Sequence, residues 1–265
     1  MMRLRTVSLA AASFAFAVAA MPALAGTTSY SDTTFNVSDY TLGAFKDAAV
    51  TVDSYGQTPT GGNPAAALQG TVSSTGTNLQ GVLFTALNTT FTYDPTASGA
   101  ITSLDFALER YANPFVGATQ SNVGSYSLRL LAEQAGTLYQ ATFVFGPFNV
   151  PGGDWHALSQ TGILASNFFV LDGSNFAGSG AVGGLDYSGG AITFGFAMRG
   201  GGLFNVDGSP FTGSATNDLR ADNFALTVNS ASAAVPEPAT WAMMILGLGG
   251  VGGTLRARRR RPALI

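Results

Sequence analysis

The sequence contains no cysteine and only one lysine, Lys46, and one histidine, His156. Without cysteine the chain can form neither disulfides nor thiolate metal sites, and a cysteine nucleophile is excluded. One histidine cannot assemble a histidine-based zinc site, which needs several ligands. A Ser-His-Asp triad would have to use His156, yet the sequence has no G-x-S-x-G motif. We therefore expect His156, which follows a Pro-Gly-Gly-Asp turn, to be a loop or strand-start residue.

Charge is scarce as well, since charged residues make up 10% of the chain, against about 25% in an average soluble protein. Between residues 26 and 235 fourteen acidic residues stand against five basic ones, so this body has a net charge near −9. Because so few cations cannot neutralise many phosphates, we exclude nucleic acid as a partner. The body also lacks a long apolar run, which favours a β-protein with a Ser, Thr, Asn and Gly surface. Its acidity is compatible with calcium or neutral sugars and requires neither.

Residues 1–25 have the three parts of a secretory signal peptide. Two arginines among the first five residues give a positive start, and an apolar stretch follows them. Ala23 and Ala25 are the small residues of the cleavage pattern, which predicts Gly26 as the first residue of the mature chain. The alternative is an uncleaved N-terminal anchor, but the apolar stretch is short and Pro22 interrupts it.

Residues 239–255 form an uncharged segment of 17 residues, which is the lower limit for a helix that crosses a bilayer. Trp241 stands where an interfacial aromatic residue would anchor such a helix. Five arginines follow the segment, namely Arg256, Arg258, Arg259, Arg260 and Arg261. Because positively charged flanks stay in the cytoplasm, we predict a helix in the inner membrane with the body on the outer side. The arginines are the membrane-stop residues, which hold the cytoplasmic end of this helix. A helix of a soluble core is the alternative, which the arginine cluster disfavours.

The tail as a whole, residues 236–261, resembles the PEP-CTERM sorting signal in its PEPxxWA subclass. The resemblance rests on a proline-containing motif, an apolar run and an arginine cluster in that order, and it assigns recognition to Pro236, Glu237, Pro238 and Trp241. It implies an exosortase-type membrane enzyme of exopolysaccharide-producing Gram-negative bacteria as partner, which processes the tail near Pro-Glu-Pro. The two prolines favour an extended segment that such an enzyme can reach. Residues 230–235, mostly Ser and Ala, are predicted to be a linker.

The body, residues 26–229, consists of short strand-like runs separated by turn signals. Several runs alternate apolar with polar residues, as half-buried strands do, and they are rich in Phe and Thr. The predicted strands are 71–73, 81–85, 90–93, 101–108, 125–131, 138–145, 191–198 and 221–228. Clusters of Gly, Asn, Asp and Pro at 60–64 and 150–154 mark turns. Since no fixed repeat and no long amphipathic helix stands out, we predict an all-β fold, a β-sandwich or jelly roll.

Four segments of the body resemble the galactose-binding-like jelly rolls of carbohydrate-binding modules and related extracellular domains. They are 61–64, 103–106, Trp155 with Leu158, and the closing strand 221–228. In such jelly rolls an Asp near the final strand helps to hold a structural calcium, and the resemblance assigns this place to Asp222. Calcium needs six to eight oxygen ligands, so the sequence does not complete the site. The alternative is a turn aspartate that accepts hydrogen bonds from nearby backbone amides.

A glycan-binding role would use exposed aromatic side chains as stacking platforms. The best candidate is Trp155, because it stands in a Gly- and Pro-rich loop. Tyr111, Tyr126 and Tyr139 are further candidates, although Tyr139 lies inside an alternating strand and most aromatic residues of a Phe-rich sandwich belong to its core.

A glycan hydrolase would need two carboxylates in one cleft, whereas the body has only two glutamates, Glu109 and Glu133, and no closely spaced acidic cluster. Asp105 and Glu109, four apart on a predicted strand, would share one face. We therefore expect a non-enzymatic protein, with no cofactor other than the predicted calcium, that is exported, held in the inner membrane and released towards the envelope or exopolysaccharide. Its sandwich would be structural or would bind polysaccharide. A secreted glycan hydrolase and a permanently anchored scaffold are the alternatives.

Overall fold

The computed structural model of the chain describes residues 25–77, 81–112, 122–143, 155–174, 176, 183–205, 212–231, 244–248 and 256. Up to residue 231 the described residues form twelve β-strands, one short α-helix and two 3-10 turns, at Val37–Asp39 and Ala165–Asn167. The first six strands and the helix are β1 (Gly26–Asp32), β2 (Tyr40–Lys46), β3 (Val50–Gly62), β4 (Ala65–Thr77), β5 (Val82–Tyr93), α1 (Pro95–Ser98) and β6 (Ile101–Ala112). The others are β7 (Asn122–Gln134), β8 (Thr137–Phe143), β9 (Trp155–Ile163), β10 (Phe168–Val170), β11 (Ile192–Asn205) and β12 (Thr212–Ser230).

The described strands form two antiparallel sheets of six strands each. Sheet A has the order β3-β4-β12-β6-β9, with β1 beside the second half of β12. Sheet B has the order β10-β8-β7-β11-β5-β2. From β4 to β7 the chain changes sheet at each successive strand, as in a jelly roll. The predicted all-β sandwich is confirmed.

One apolar core fills the space between the sheets. The period-two alternation of the strands creates it, since Leu104, Phe106 and Leu108 of β6 all point inward and are at most 1% exposed. Phe224 of β12 lies at its centre, with its ring centroid 5.1 Å from that of Phe196 in sheet B and 5.9 Å from that of Phe106. Each such aromatic pair stabilises the fold by about 0.5–1.5 kcal/mol beyond the area it buries.

The outer faces of the two sheets differ. On sheet B, Leu171 and Phe176 pack against Leu83, Leu131 and Ala197 and form a second, smaller apolar cluster. On sheet A the outward residues of β4, β6 and β12 are mostly polar and partly exposed. Among the described residues, sheet A therefore offers the more open polar face.

The longest strand, β12, places an aspartate in a gap of sheet A. Its 19 residues pair with β4 as far as Ala221 and with β1 from Phe224 onward. Between these partners the pairing with β6 shifts register, and Asn223 has a left-handed φ of 51°. The β3–β4 turn at Asn63 and Pro64, which contains a cis peptide bond, lies beside this gap. Asp222, 0% exposed, is therefore enclosed by three strands and a turn.

All eight predicted strands overlap strands of the structure, but most of them are too short: β4, β6, β7, β11 and β12 extend three to nine residues beyond the predicted bounds at one or both ends. Residues 81–85 and 90–93 prove to be the two ends of the single strand β5. Five further strands were not predicted: β1, β2, β3, β9 and β10. The predicted turn at 60–64 narrows to residues 63–64, and the one at 150–154 lies outside the described residues. β12 also takes in Ser230, which the sequence assigned to the linker.

Candidate functional site

Three side chains form a row across the outer face of sheet A, and we call Trp155, Tyr111 and Arg220 the aromatic row. Trp155 of β9 lies opposite Tyr111 of β6, which in turn lies opposite Arg220 of β12. The ring centroids of Trp155 and Tyr111 are 5.5 Å apart at an interplanar angle of 51°. The guanidinium carbon of Arg220 lies 4.8 Å from the centroid of the Tyr111 ring. Since all three side chains are partly exposed, the row offers two aromatic rings and a cation on one surface.

Asp218 and the backbone fix Arg220 in place. Arg220 donates from Nη2 to Oδ2 of Asp218 at 2.6 Å and from Nη1 to the carbonyl oxygen of Gly61 at 3.2 Å. Gln69 donates from Nε2 to Oδ1 of Asp218 at 2.9 Å, which orients that carboxylate. The hydrogen bond to Asp218 raises the pKa of Arg220, so the guanidinium stays charged. A side chain that is ordered in advance loses little conformational freedom when a ligand binds.

The predicted aromatic candidates have different fates in the structure. Trp155 is the first residue of β9 rather than a loop residue, and Tyr111 joins it in the aromatic row. Tyr139 is 7% exposed and belongs to the core between the sheets. Tyr126 lies in β7, and its side chain is outside what the structure describes. His156 is the second residue of β9, which confirms the predicted strand-start position.

Arg220, Asp218 and Gln69 were missed as site residues. Arg220 is one of only five cations of the body, and Asp218 stands two positions before it. Because residues two apart on a strand share a face, this spacing could have placed both side chains beside each other. The predicted strand began at residue 221, whereas β12 begins at Thr212 and includes both Asp218 and Arg220.

Asp222 is the centre of a second polar group on sheet A. Its Oδ2 accepts the backbone N–H of Asn63 at 2.5 Å, and its Oδ1 accepts that of Asn223 at 2.7 Å. The side-chain amides of both asparagines donate to Oε2 of Glu109, at 3.0 and 2.9 Å. Burial, together with the negative charges of Glu109 and Asp32, raises the pKa of Asp222. We call Asp222, Glu109, Asn63 and Asn223 the Asp222 cluster.

The side chains of the Asp222 cluster do not by themselves complete a calcium site. Calcium takes six to eight oxygen ligands, whereas both oxygens of Asp222 already accept backbone N–H groups. In the described part of the chain no three His, Cys, Asp or Glu side chains are placed to hold a metal. The geometry matches the alternative of an aspartate bonded to nearby amides, and calcium at Asp222 stays a prediction.

The carboxylates considered for hydrolysis do not share a cleft. Glu109 lies on the outer face of sheet A, whereas Glu133 lies on β7 of sheet B and accepts the N–H of Gly136 in the β7–β8 turn at 2.6 Å. Asp105 and Glu109 do share the outer face of β6, as predicted. Asp105 is occupied there by the N–H of Gly162 at 2.8 Å and the amide of Asn229 at 2.9 Å. Because two stacked sheets separate Glu109 from Glu133, this pair cannot flank one glycosidic bond.

The two ends of the body lie side by side. Gly26, the predicted first residue of the mature chain, begins β1 and pairs with Ser230 at the end of β12. Ala25 is exposed directly before β1, while residues 1–24, with Ala23, lie outside the described residues. The N–H of Ala231 still bonds the carbonyl of Ala100 at 2.8 Å. A tail that follows residue 231 therefore leaves the domain next to its N-terminus.

Only a small part of the tail is described. The predicted recognition and membrane-stop residues outside the described part are Pro236, Glu237, Pro238, Trp241, Arg258, Arg259, Arg260 and Arg261. Residues 244–248 are helical, Arg256 is helical and exposed, and the apolar side chains of residues 244–246 and 248 are 52–70% exposed. Within the described ranges no helix has the length and apolar character needed to cross a membrane. The predicted membrane helix at 239–255 lies mostly outside those ranges.

The fold and the site show a β-sandwich, and it is the tail that indicates export. The family model described as the PEP-CTERM protein-sorting motif matches residues 234–261, so the chain carries this motif as predicted. The motif implies export and sorting by an exosortase-type enzyme in Gram-negative bacteria. No curated protein matches the chain in sequence.

Three solved structures illustrate what the body is similar to. The family 11 carbohydrate-binding module from Clostridium thermocellum in complex with a β-1,3-1,4-mixed-linked tetrasaccharide is 15% identical, with 76% of this chain and 95% of that chain covered and a TM-score of 0.37. The family 11 module of a cellulosomal cellulase of the same organism is 14% identical, with 70% and 86% covered and a TM-score of 0.32. The glycoside hydrolase domain of Endo-D from Streptococcus pneumoniae R6 is 8% identical, with 75% and 22% covered and a TM-score of 0.30. At such TM-scores these likenesses carry no functional argument.

Proposed function

We propose that this chain is a non-enzymatic protein of the cell surface or exopolysaccharide matrix whose sandwich binds glycan through the aromatic row. The signal peptide exports it, the segment 239–255 holds it in the inner membrane, and an exosortase-type enzyme processes the tail near Pro236–Pro238. The sorting motif at 234–261 supports the route. The aromatic row on the outer face of sheet A supports the binding activity.

The chemistry of the aromatic row favours a sugar as ligand. A pyranose ring has an apolar face of C–H groups that packs on an aromatic ring, and hydroxyl groups at its rim that need polar partners. Trp155 and Tyr111 supply the rings. Arg220 in the row, and Asp218 and Gln69 beside it, supply hydrogen-bond donors and acceptors. A neutral glycan also suits a body whose net charge is near −9, since it meets no general repulsion.

The row is far from the point where the tail leaves the domain. Arg220 and Ser230 are ten residues apart on β12, which corresponds to roughly 30 Å along a strand. While the tail holds the protein at the membrane, this distance keeps the aromatic row away from the attachment point. The row is then accessible to polysaccharide on the outer side.

Binding of the exported protein to a glycan array, with and without calcium, tests the proposal and the calcium prediction together. Trp155→Ala is expected to weaken binding of the best glycan at least about tenfold, because a central aromatic contact is typically worth more than 1 kcal/mol. Phe169→Ala, which changes a partly buried aromatic residue on sheet B, is the control and should bind as wild type. Equal binding by wild type and Trp155→Ala would refute the role of the row.

A further inference from the structure

Two arginines lie next to each other on the outer face of sheet B. Arg129 of β7 and Arg199 of β11 are diagonal neighbours, since Arg199 pairs with Ser127, two residues before Arg129. Arg129 is 2% exposed and is the largest fully buried side chain of the described residues, whereas Arg199 is partly exposed. Gln140 of β8, 0% exposed, accepts a hydrogen bond from Nη1 of Arg129. We call Arg129, Arg199 and Gln140 the arginine pocket.

Several polar atoms of this pocket are buried without a hydrogen-bond partner. They are Nε of Arg129, Nε of Arg199, Nε2 of Gln140 and Oγ of the neighbouring Ser127. Buried donors in native proteins are nearly always satisfied by protein or by a bound species. Three of these four atoms are N–H donors, so the missing partner must be an acceptor.

The charges point to the same kind of partner. Neither arginine forms an ion pair with a carboxylate in the ranges that the structure describes, where the ion pair found is that of Arg220 with Asp218. Burial and the positive charge of Arg199 lower the pKa of Arg129 to about 10. Burial also lowers the pKa of Arg199, and the negative charge of Asp47 offsets only part of this. A buried cation beside a second, partly exposed cation is stabilised by an anion nearby.

We propose that the arginine pocket binds an oxoanion, a carboxylate or sulfate group that enters beside Arg199. A guanidinium presents two parallel N–H donors, which match the two oxygens of such a group. Gln140 adds a further donor from the neighbouring strand. The source is either a free anion or the acid group of a charged sugar, and the experiment distinguishes them. The site lies on sheet B and is independent of the glycan-binding function proposed for sheet A.

Thermal unfolding of the exported protein tests this proposal. The melting temperature is measured in sodium sulfate, sodium acetate and sodium glucuronate, each against sodium chloride at equal ionic strength, and in sodium chloride with and without glucose. At ten times its Kd an anion should raise the melting temperature by about 3–6 °C. A rise with sulfate and acetate marks a site for free anions, and a rise with glucuronate alone marks an acidic sugar. Glucose, which lacks the acid group, should have no effect.

Arg199→Gln should abolish the rise, and Arg199→Lys, which keeps the charge but loses the paired donors, should retain a part of it. Lys46→Gln removes the same charge from an exposed residue of β2 and should respond as wild type, which also corrects for the general stabilising effect of sulfate. A wild type that responds to none of the three anions would overturn the proposal. So would a full response in Arg199→Gln; should that variant not fold, Arg199→Lys and the wild type still decide the matter.

Discussion

Replacing Asp222 with alanine removes the acceptor of two backbone N–H groups in the gap of sheet A. The two donors are Asn63, in the turn between β3 and β4, and Asn223, in the bulge of β12. Asp222 is 0% exposed, so water does not simply replace the lost carboxylate. The change therefore loosens the contact that ties the β3–β4 turn to the last strand.

The magnitude follows from the number and type of the lost bonds. A hydrogen bond to a charged group contributes about 1.5–3 kcal/mol, which gives about 3–6 kcal/mol for the two. The repulsion that Asp222 experiences from Glu109 and Asp32 disappears in the variant, so the lower end of this range applies. For a domain of this size a loss of about 3 kcal/mol lowers the melting temperature by about 6–12 °C.

Calorimetry or circular dichroism of the exported protein measures this shift. Asp53→Ala is the matched control, because it also removes one negative charge but loses only an exposed bond from Ser73, 2.9 Å long. Its melting temperature should fall by no more than about 2 °C. A fall in Asp222→Ala that is as small as in Asp53→Ala would show that the Asp222 cluster does not secure the β3–β4 turn.

Two further predictions concern pH and packing. The pKa of Asp222 is raised in the folded state, so the folded chain binds more protons than the unfolded chain and the stabilisation is complete below about pH 4. This stabilisation is lost as the pH rises through the raised pKa, so the free energy of unfolding of wild type relative to that of Asp222→Asn should decrease as the pH rises above about 4. An increase of this difference with pH, measured by urea unfolding, would contradict the sign. Gly70→Ala should destabilise the fold by about 1–3 kcal/mol, because a Cβ would lie 2.4 Å from the buried ring of Phe84. Gly56→Ala on β3 meets nothing within 4 Å and should be neutral or stabilising by up to about 1 kcal/mol; equal effects of the two changes in thermal unfolding would refute the packing at Gly70.

The strands that could be predicted are those with one buried face. β6 alternates inward Leu104, Phe106 and Leu108 with outward residues, and this period of two is visible in the sequence. The missed strand β9 is mostly exposed along its nine residues and lies at the edge of sheet A, so it carries little apolar signal. β5 was divided in two because Asn88 and Thr89 have the composition of a turn. In the structure Asn88 is buried, and its side chain accepts bonds from Thr90 within the strand.

The site could be predicted only in part, because its geometry depends on long-range pairing. Trp155 was predicted because it is an aromatic residue in a Gly- and Pro-rich segment. Its neighbour Tyr111 is 44 residues away in the chain and joins it only through the β6–β9 register. Glu109 and Asp222 were considered for separate roles, as a carboxylate of a hydrolase and as a calcium ligand. The fold brings them into one hydrogen-bonded cluster through Asn63 and Asn223. No pattern of local spacing carries this information.

The sorting route is tested most directly by the intact mass of the protein recovered from the envelope or the surrounding matrix. We expect a chain that begins at Gly26 and ends near Pro236–Pro238, without residues 239–265. A chain that begins at Gly26 but keeps its tail would indicate a permanently anchored scaffold. A protein that stays in the cytoplasm with both ends intact would contradict the account.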